Sequence, residues 1–234
     1  MTSAVTKPWS KATLVENHVL SPGLHRVTLE VPRAISKAFH TAGQYHRVRM
    51  SSGADAFFAM ASAPGESRFD YLVKATGEVA SAWVALPRGA HVEVSLPEGP
   101  GFPLEQARGS PLLLVGTGTG FGPLWSVIRA IRPRRREFES VRALYGVDVE
   151  AQLAWRDEWP ALEKEGIELH PVLDKAHPGW KGRAGRVQAH VEPLALRGQF
   201  AFLCGHPAMV SEVSEILGRR GVPPERVFLN VPTL

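Results

Sequence analysis

Hydrophobic and polar positions alternate in short runs through the first part of the chain. Residues 11–15, 25–31, 45–50, 57–62, 69–74 and 91–95 each place apolar side chains at about every second position, the spacing of half-buried strands. Turn-forming pairs punctuate them, among them Pro22-Gly23, Ser52-Gly53, Pro64-Gly65 and Thr76-Gly77. Six strands at this spacing predict a small antiparallel β-barrel. One helical piece over 79–86 interrupts the pattern, between Gly77 and Gly89. A linker dense in glycine and proline at 98–103 marks a change of rhythm, which predicts two domains, residues 1–105 and residues 106–234.

Beyond the linker, strands alternate with helices. Runs at 112–116, 141–146, 167–173, 200–204 and 226–229 are rich in apolar residues, as in strands covered on both faces. Helices are predicted over 123–131, near 156–165, near 187–191 and over 207–219. In the first of these, Leu124, Val127, Ile128 and Ile131 form one apolar stripe, suited to packing on a sheet. The pattern predicts an α/β domain with a doubly wound, five-stranded parallel sheet, whose ligands bind beyond the carboxyl ends of the strands.

Two loops fall at such ends. In Gly116-Thr117-Gly118-Thr119-Gly120-Phe121-Gly122-Pro123, the glycines let the backbone turn sharply and approach a ligand, and Pro123 opens the helix. Strand, turn and helix N-terminus together suit a phosphate, although a ligand-free tight turn is the alternative. The spacing is neither GxGxxG nor GxxxxGK[ST]. The second loop is Cys204-Gly205-His206-Pro207-Ala208-Met209. Taken alone, Cys204 after the apolar residues 200–203 reads as a core residue.

Composition narrows the possibilities. With 44% hydrophobic and 21% charged residues, the 234-residue chain is expected to be globular rather than disordered. The net charge of +4 matters less than its clustering at Arg129, Arg132 and Arg134-Arg135-Arg136, which reads as a solvated helix end. No aromatic residues interleave with those arginines, so no nucleic-acid partner is expected. One cysteine excludes an intramolecular disulfide, a CxxC pair and an all-cysteine iron–sulfur cluster. The nine histidines form no metal pattern, and no GxSxG nucleophile turn is present. The N-terminus lacks an apolar signal region and no run of eighteen apolar residues occurs, so a soluble, cytoplasmic protein without a membrane span is expected.

A barrel followed by an α/β domain with these two loops resembles the ferredoxin–NADP reductase-like superfamily of flavin oxidoreductases. Residues 116–123 resemble its GTGTGxAP loop with Gly122 for alanine, residues 204–209 its CGxPxM motif, and Ala42-Gly43-Gln44-Tyr45 its PGQ[YF] segment. The resemblance implies FAD in the barrel and a nicotinamide dinucleotide held by Gly116, Thr117, Gly118, Thr119, Gly120, Pro123, Gly205, His206, Pro207 and Met209. It also implies hydride transfer beside Cys204, with the electrons passing to a separate acceptor or partner protein. The flavin signature departs from the family pattern. The RxYS motif falls on Ala56-Phe57-Phe58-Ala59, without its arginine and both hydroxyls, before Met60, Ala61 and Ser62. The GxxS motif falls on Gly77-Glu78-Val79-Ala80, with Ser81 adjacent. The C-terminus, Leu229-Asn230-Val231-Pro232-Thr233-Leu234, has neither the acid nor the aromatic usual there. The implied FAD is therefore weakly held, by amides along 59–62, by the helix at Val79 and by Lys74 as a substitute cation. A flavin-free dinucleotide sensor or subunit of a larger complex is the alternative. Asp148, in the place where family members that use NADPH carry arginine, implies a preference for NADH.

Overall fold

The computed structural model describes residues 9–230; Val231-Pro232-Thr233-Leu234 and residues 1–8 of the expectations above lie outside them. The alternating segments become β1 (Ser10–Ser21), β2 (Leu24–Glu30), β3 (Tyr45–Arg49), β4 (Asp55–Ala59), β5 (Arg68–Lys74) and β6 (His91–Val94). They form one antiparallel sheet in the order β4-β3-β6-β1-β2-β5. The sheet curls until its edges meet just past β4. There the Ala61 N–H donates to the Asp70 carbonyl at 2.7 Å, and the Ser62 hydroxyl accepts from the Asp70 N–H at 2.8 Å. Val27, Leu29, Val48, Phe69 and Tyr71 fill the interior. Helix α2 (Gly77–Val84) adds Trp83 to that core. Helix α1 (Arg33–Ala38) was not expected; it is a short turn burying Ile35, with too few residues to show a helical period.

The second sheet holds the five expected strands, β7 (Leu112–Thr117), β8 (Val141–Val147), β9 (Ile167–Leu173), β11 (Phe200–Cys204) and β12 (Val227–Leu229), and a sixth, β10 (Arg183–Ala184). All pairs are parallel, in the order β10-β9-β8-β7-β11-β12. At two residues, β10 is too short to leave a periodic signal. Both faces of β7 are covered: Leu112 and Leu114 belong to one apolar core, Leu113 and Val115 to the other. Helices α3 (Phe121–Ile131), α4 (Trp159–Lys164) and α5 (Pro207–Arg219) occupy three of the four predicted positions, and 3-10 turns replace the helix expected near 187–191. No helix among the described residues is long and apolar enough to cross a membrane.

Helix α3 joins the two sheets. Its buried Ser126 donates to the Ser62 carbonyl at 2.5 Å and accepts from the Gly43 N–H at 3.3 Å. One turn on, Arg129 bonds Glu66 and Asp70 at 2.7 Å each. Truncating Arg129 strands two partly desolvated carboxylates, at a cost of about 1–3 kcal/mol. The arginine cluster is therefore not a bare solvated helix end. Arg132 pairs with Glu158 and Glu165, and Arg134 with Glu105.

The barrel core contains one ionisable pair. His46 Nε2 lies 2.7 Å from the Tyr71 hydroxyl, and both side chains are buried. Burial lowers the His46 pKa from 6.5 to about 3. The folded protein thus holds a neutral imidazole that the unfolded chain protonates below pH 6.5. The stability it contributes is complete above 6.5 and is lost as pH falls toward 3. At pH 5 the loss is about 2 kcal/mol. Urea denaturation at pH 7 and pH 5 should show the wild type losing that much more than H46Q; equal losses would place the acid sensitivity elsewhere.

Candidate active site

The site begins where β7 and β11 end side by side, with Cys204 opposite Gly116 in the register. After Thr117 the chain makes a single 3-10 turn over Gly118–Gly120 and enters α3 at Phe121, two residues before the predicted start. The loop after β11 presses against this turn. A Cβ on Gly120 would lie 2.6 Å from the Gly205 Cα and 2.7 Å from the Cys204 carbonyl oxygen. Gly205 has φ +150°, and a Cβ there would run into the Thr117 hydroxyl. That hydroxyl accepts from the His206 N–H at 3.2 Å, and the His206 ring caps α5 by accepting from the Ala208 N–H. The two motifs are one interlocked unit.

Two clefts open on this unit. The first, of about 410 Å3, is lined by Thr117, Gly118, Thr119, His206 and Met209, and by Asp148 and Arg186. The β1–β2 turn, Pro22 to Leu24, also lines it. The second, of about 470 Å3, lies between the sheets and is lined by Tyr45, Phe57 and Phe58, by Gly77, Val79 and Ala80 of α2, and by Gly120, Pro123, Cys204 and Asn230. Ala56 and Ala59 lie on its β4 wall. Lys74 and Thr119 line both clefts, so the two cavities adjoin.

Several sequence-predicted residues stand apart from the cleft walls. Met60, Ala61 and Ser62 are buried in the barrel closure; the N–H groups of Met60 and Ala61 donate to Gln44 and Asp70, so they are spent within the protein. Ser81 is exposed on α2 outside both linings. Gly116, Gly205 and Pro207 shape the loops without lining a cleft. Sequence reasoning passed over Asn230 and the Pro22–Leu24 wall, whereas Arg186 ends the loop 180–186, whose glycines and basic residues mark it as either a phosphate contact or a surface turn. A turn such as Pro22-Gly23 says nothing about the surface it will cover.

Electrostatics limits the chemistry. Desolvation pushes the Cys204 thiol up to about 12, so it stays protonated near neutral pH, with Sγ 3.6 Å from the Asn230 carbonyl oxygen. Protonated, the thiol is a weak nucleophile. In the lining of the first cleft, Asp148 is exposed. Glu150 nearby is engaged: His177 and Arg156 each contact its carboxylate at 2.7 Å, and the His177 hydrogen bond leads the effects holding its pKa below the usual range. Among the described residues, no three or more His, Cys, Asp or Glu gather as a metal site.

Residues 114–215 match the model of the oxidoreductase NAD-binding domain family. The chain is 35% identical over 237 aligned positions to ferredoxin–NADP reductase B of Sorangium cellulosum, covering 94% of this chain and 96% of that one. It is 27% identical to the sulfhydrogenase 1 gamma subunit of Pyrococcus furiosus, over 86% of this chain and 71% of that subunit. Among solved structures, a cytochrome P450 reductase of Amycolatopsis superposes with a TM-score of 0.83 at 28% identity, covering 97% of this chain and 71% of that one. A ferredoxin NADP+ reductase of Neisseria gonorrhoeae, solved with FAD and NADP, shares the fold at a TM-score of 0.82 and 18% identity, covering 94% of this chain and 97% of that one.

The interlock predicts opposite outcomes for two similar substitutions. G120A forces a methyl group into the Gly205 peptide and should cost about 1–3 kcal/mol. G122A places its methyl group in α3 at ordinary contact distances, 3.7 Å from the Leu72 Cβ, and should stabilise by about 0.5–1 kcal/mol. Urea midpoints decide; equal shifts would mean that the two loops are not in close register.

Proposed function

The chain belongs to the ferredoxin–NADP reductase-like family of flavin oxidoreductases, and we propose that it moves a hydride between a nicotinamide dinucleotide in the first cleft and FAD in the second, passing electrons on to a separate acceptor. One observation carries this reading: two clefts, one rooted in each sheet, adjoin at Thr119 and Lys74. A dinucleotide sensor needs the first cleft alone. The second, with aromatic walls and a helix that starts without a side-chain cap, suits a flat ring that carries a pyrophosphate. We assign the flavin unit to residues 1–105 and the coenzyme unit to residues 106–234.

In this reading Phe57, Phe58 and Tyr45 supply the surface against a flavin ring, and the first N–H groups of α2 with Lys74 receive the pyrophosphate. Ala56, on β4 at the cleft wall, stands where the family's arginine would reach in. A charge-assisted hydrogen bond is worth roughly 1.5–3 kcal/mol, so its loss weakens binding by about one to two powers of ten. Thr117, Gly118 and Thr119 with the start of α3 hold the coenzyme phosphates, and His206 and Met209 form the wall beside them. Bound flavin supplies the capacity to take two electrons as a hydride and to release them singly. The protein's part is placement, since hydride transfer needs reacting atoms about 3–3.5 Å apart. Cys204, protonated and at the junction, contributes bulk against the reacting rings. With one cysteine the chain cannot hold an all-cysteine iron–sulfur cluster. The Sorangium relative is named for a ferredoxin, and a one-electron carrier of that kind is the acceptor proposed here.

The test is an absorption titration with FAD. Binding at micromolar FAD, tightened about ten-fold by A56R, supports the assignment; no binding by either protein would leave the flavin-free sensor.

Coenzyme choice is a second expectation. The Asp148 carboxylate can accept from ribose hydroxyls but repels a 2′-phosphate, by about 1–2 kcal/mol after solvent screening. NADH should bind roughly ten-fold more tightly than NADPH, and D148R should narrow or reverse the ratio. Equal affinities, unchanged by D148R, would remove Asp148 from recognition and leave Arg186 as the group facing the phosphate.

A further inference from the structure

Asn230 follows β12 and meets three partners around the junction of the clefts. Its backbone N–H donates to the Leu203 carbonyl at 3.2 Å, extending the β11–β12 ladder. Its side-chain Nδ2 donates to the Gly43 carbonyl of the barrel domain at 2.6 Å. Its own carbonyl oxygen lies 3.6 Å from the Cys204 Sγ. The residue also lines the second cleft with Cys204, Thr119 and Gly120.

The Gly43 peptide is thereby gripped from both ends. The Ser126 hydroxyl holds its N–H from α3, and Asn230 holds its carbonyl from the chain beyond β12. Gly43 itself has little room, since φ is +89° and a Cβ would meet the Phe102 ring at 2.5 Å. The Ser126 contact is buried under the interface. The Asn230 contact lies at the cleft wall, one bonded step from Cys204. Of the two grips, only that of Asn230 ties the position of the barrel directly to the thiol at the junction.

We infer that Asn230 is a positioning residue for hydride transfer: by tethering Gly43 and receiving the Cys204 thiol, it sets the placement of the thiol and the spacing of the two sheets where the clefts adjoin. The inference rests on the proposed hydride transfer between the clefts. A tether of this kind acts on the reaction geometry more than on coenzyme affinity, since Asn230 does not line the first cleft. Its loss should therefore appear in kcat rather than in KM.

The experiment compares wild type, N230A and S126A. Cys204 is the chain's one cysteine, so iodoacetamide labelling of flavin-free protein reports on that thiol alone. N230A should be alkylated at least five-fold faster than wild type, and S126A, which removes the buried bonds to Gly43 and Ser62 but leaves the Asn230 tether, at the wild-type rate. In flavin-loaded protein at saturating NADH, N230A should transfer hydride at least ten-fold more slowly, with KM within three-fold. Should N230A not fold, N230D keeps the side-chain shape while replacing the donor by an acceptor, and should show the same changes above its carboxyl pKa. Wild-type labelling or wild-type transfer in the Asn230 variant would overturn the inference, as would equal acceleration of labelling in S126A. If wild-type protein with bound FAD shows no reduction by NADH, the functional reading fails, while the labelling comparison still decides whether Asn230 sets the thiol.

Discussion

The close approach of Gly120 to the Gly205 peptide is the constraint on which the rest of the site depends. With 2.6 Å between a would-be Cβ and the Gly205 Cα, neither loop can carry a side chain at the contact. What the missing side chains make possible is registration. The ends of β7 and β11, the start of α3 and the cap of α5 are fixed against one another by backbone packing and by the Thr117 hydroxyl. Both clefts open on this unit, so the separation between their contents follows from the fold.

Helix α3 carries that registration into the barrel domain. Its first turn follows the glycine loop, and its next two turns present Ser126 and Arg129 to the segment that closes the barrel. The carboxylates of Glu66 and Asp70 flank the closure at Ala61 and Ser62, so one arginine holds both the barrel seam and the domain interface. Burial raises the Glu66 pKa, with the Arg129 charge opposing that rise. The interface is thus tied by ionic bonds at its edge and by a buried hydroxyl at its centre. It positions the clefts without relying on apolar contact alone.

Much of this was legible in the sequence, and the reasons differ by element. The parallel strands were visible because strands covered on both faces must be apolar throughout, as β7 is. The barrel strands were visible through alternation, and the two loops through glycines whose conformations or contacts admit nothing larger. Helix α1 and strand β10 were hidden by shortness. The role of Arg129 was hidden by distance: its partners lie 59 and 63 positions away, and local charge pattern suggested only a solvated helix end. The partners of the amides after Ala59 were hidden for a similar reason. The Met60 amide donates to Gln44 and the Ala61 amide to Asp70 on β5, and both contacts depend on how the sheet curls. Asn230 enters its cleft through tertiary placement, which no local period encodes.

If the two clefts work as one reaction site, NADH bound in the first must reduce flavin bound in the second. Anaerobic mixing of the flavin-loaded protein with NADH, followed at the visible flavin absorption band, tests it most directly. The band should bleach in a step slowed when the transferring hydrogen at the nicotinamide C4 is deuterium. NADH that binds in the first cleft while the band stays unchanged would contradict it, because the two cofactors would then sit in cavities that adjoin without meeting.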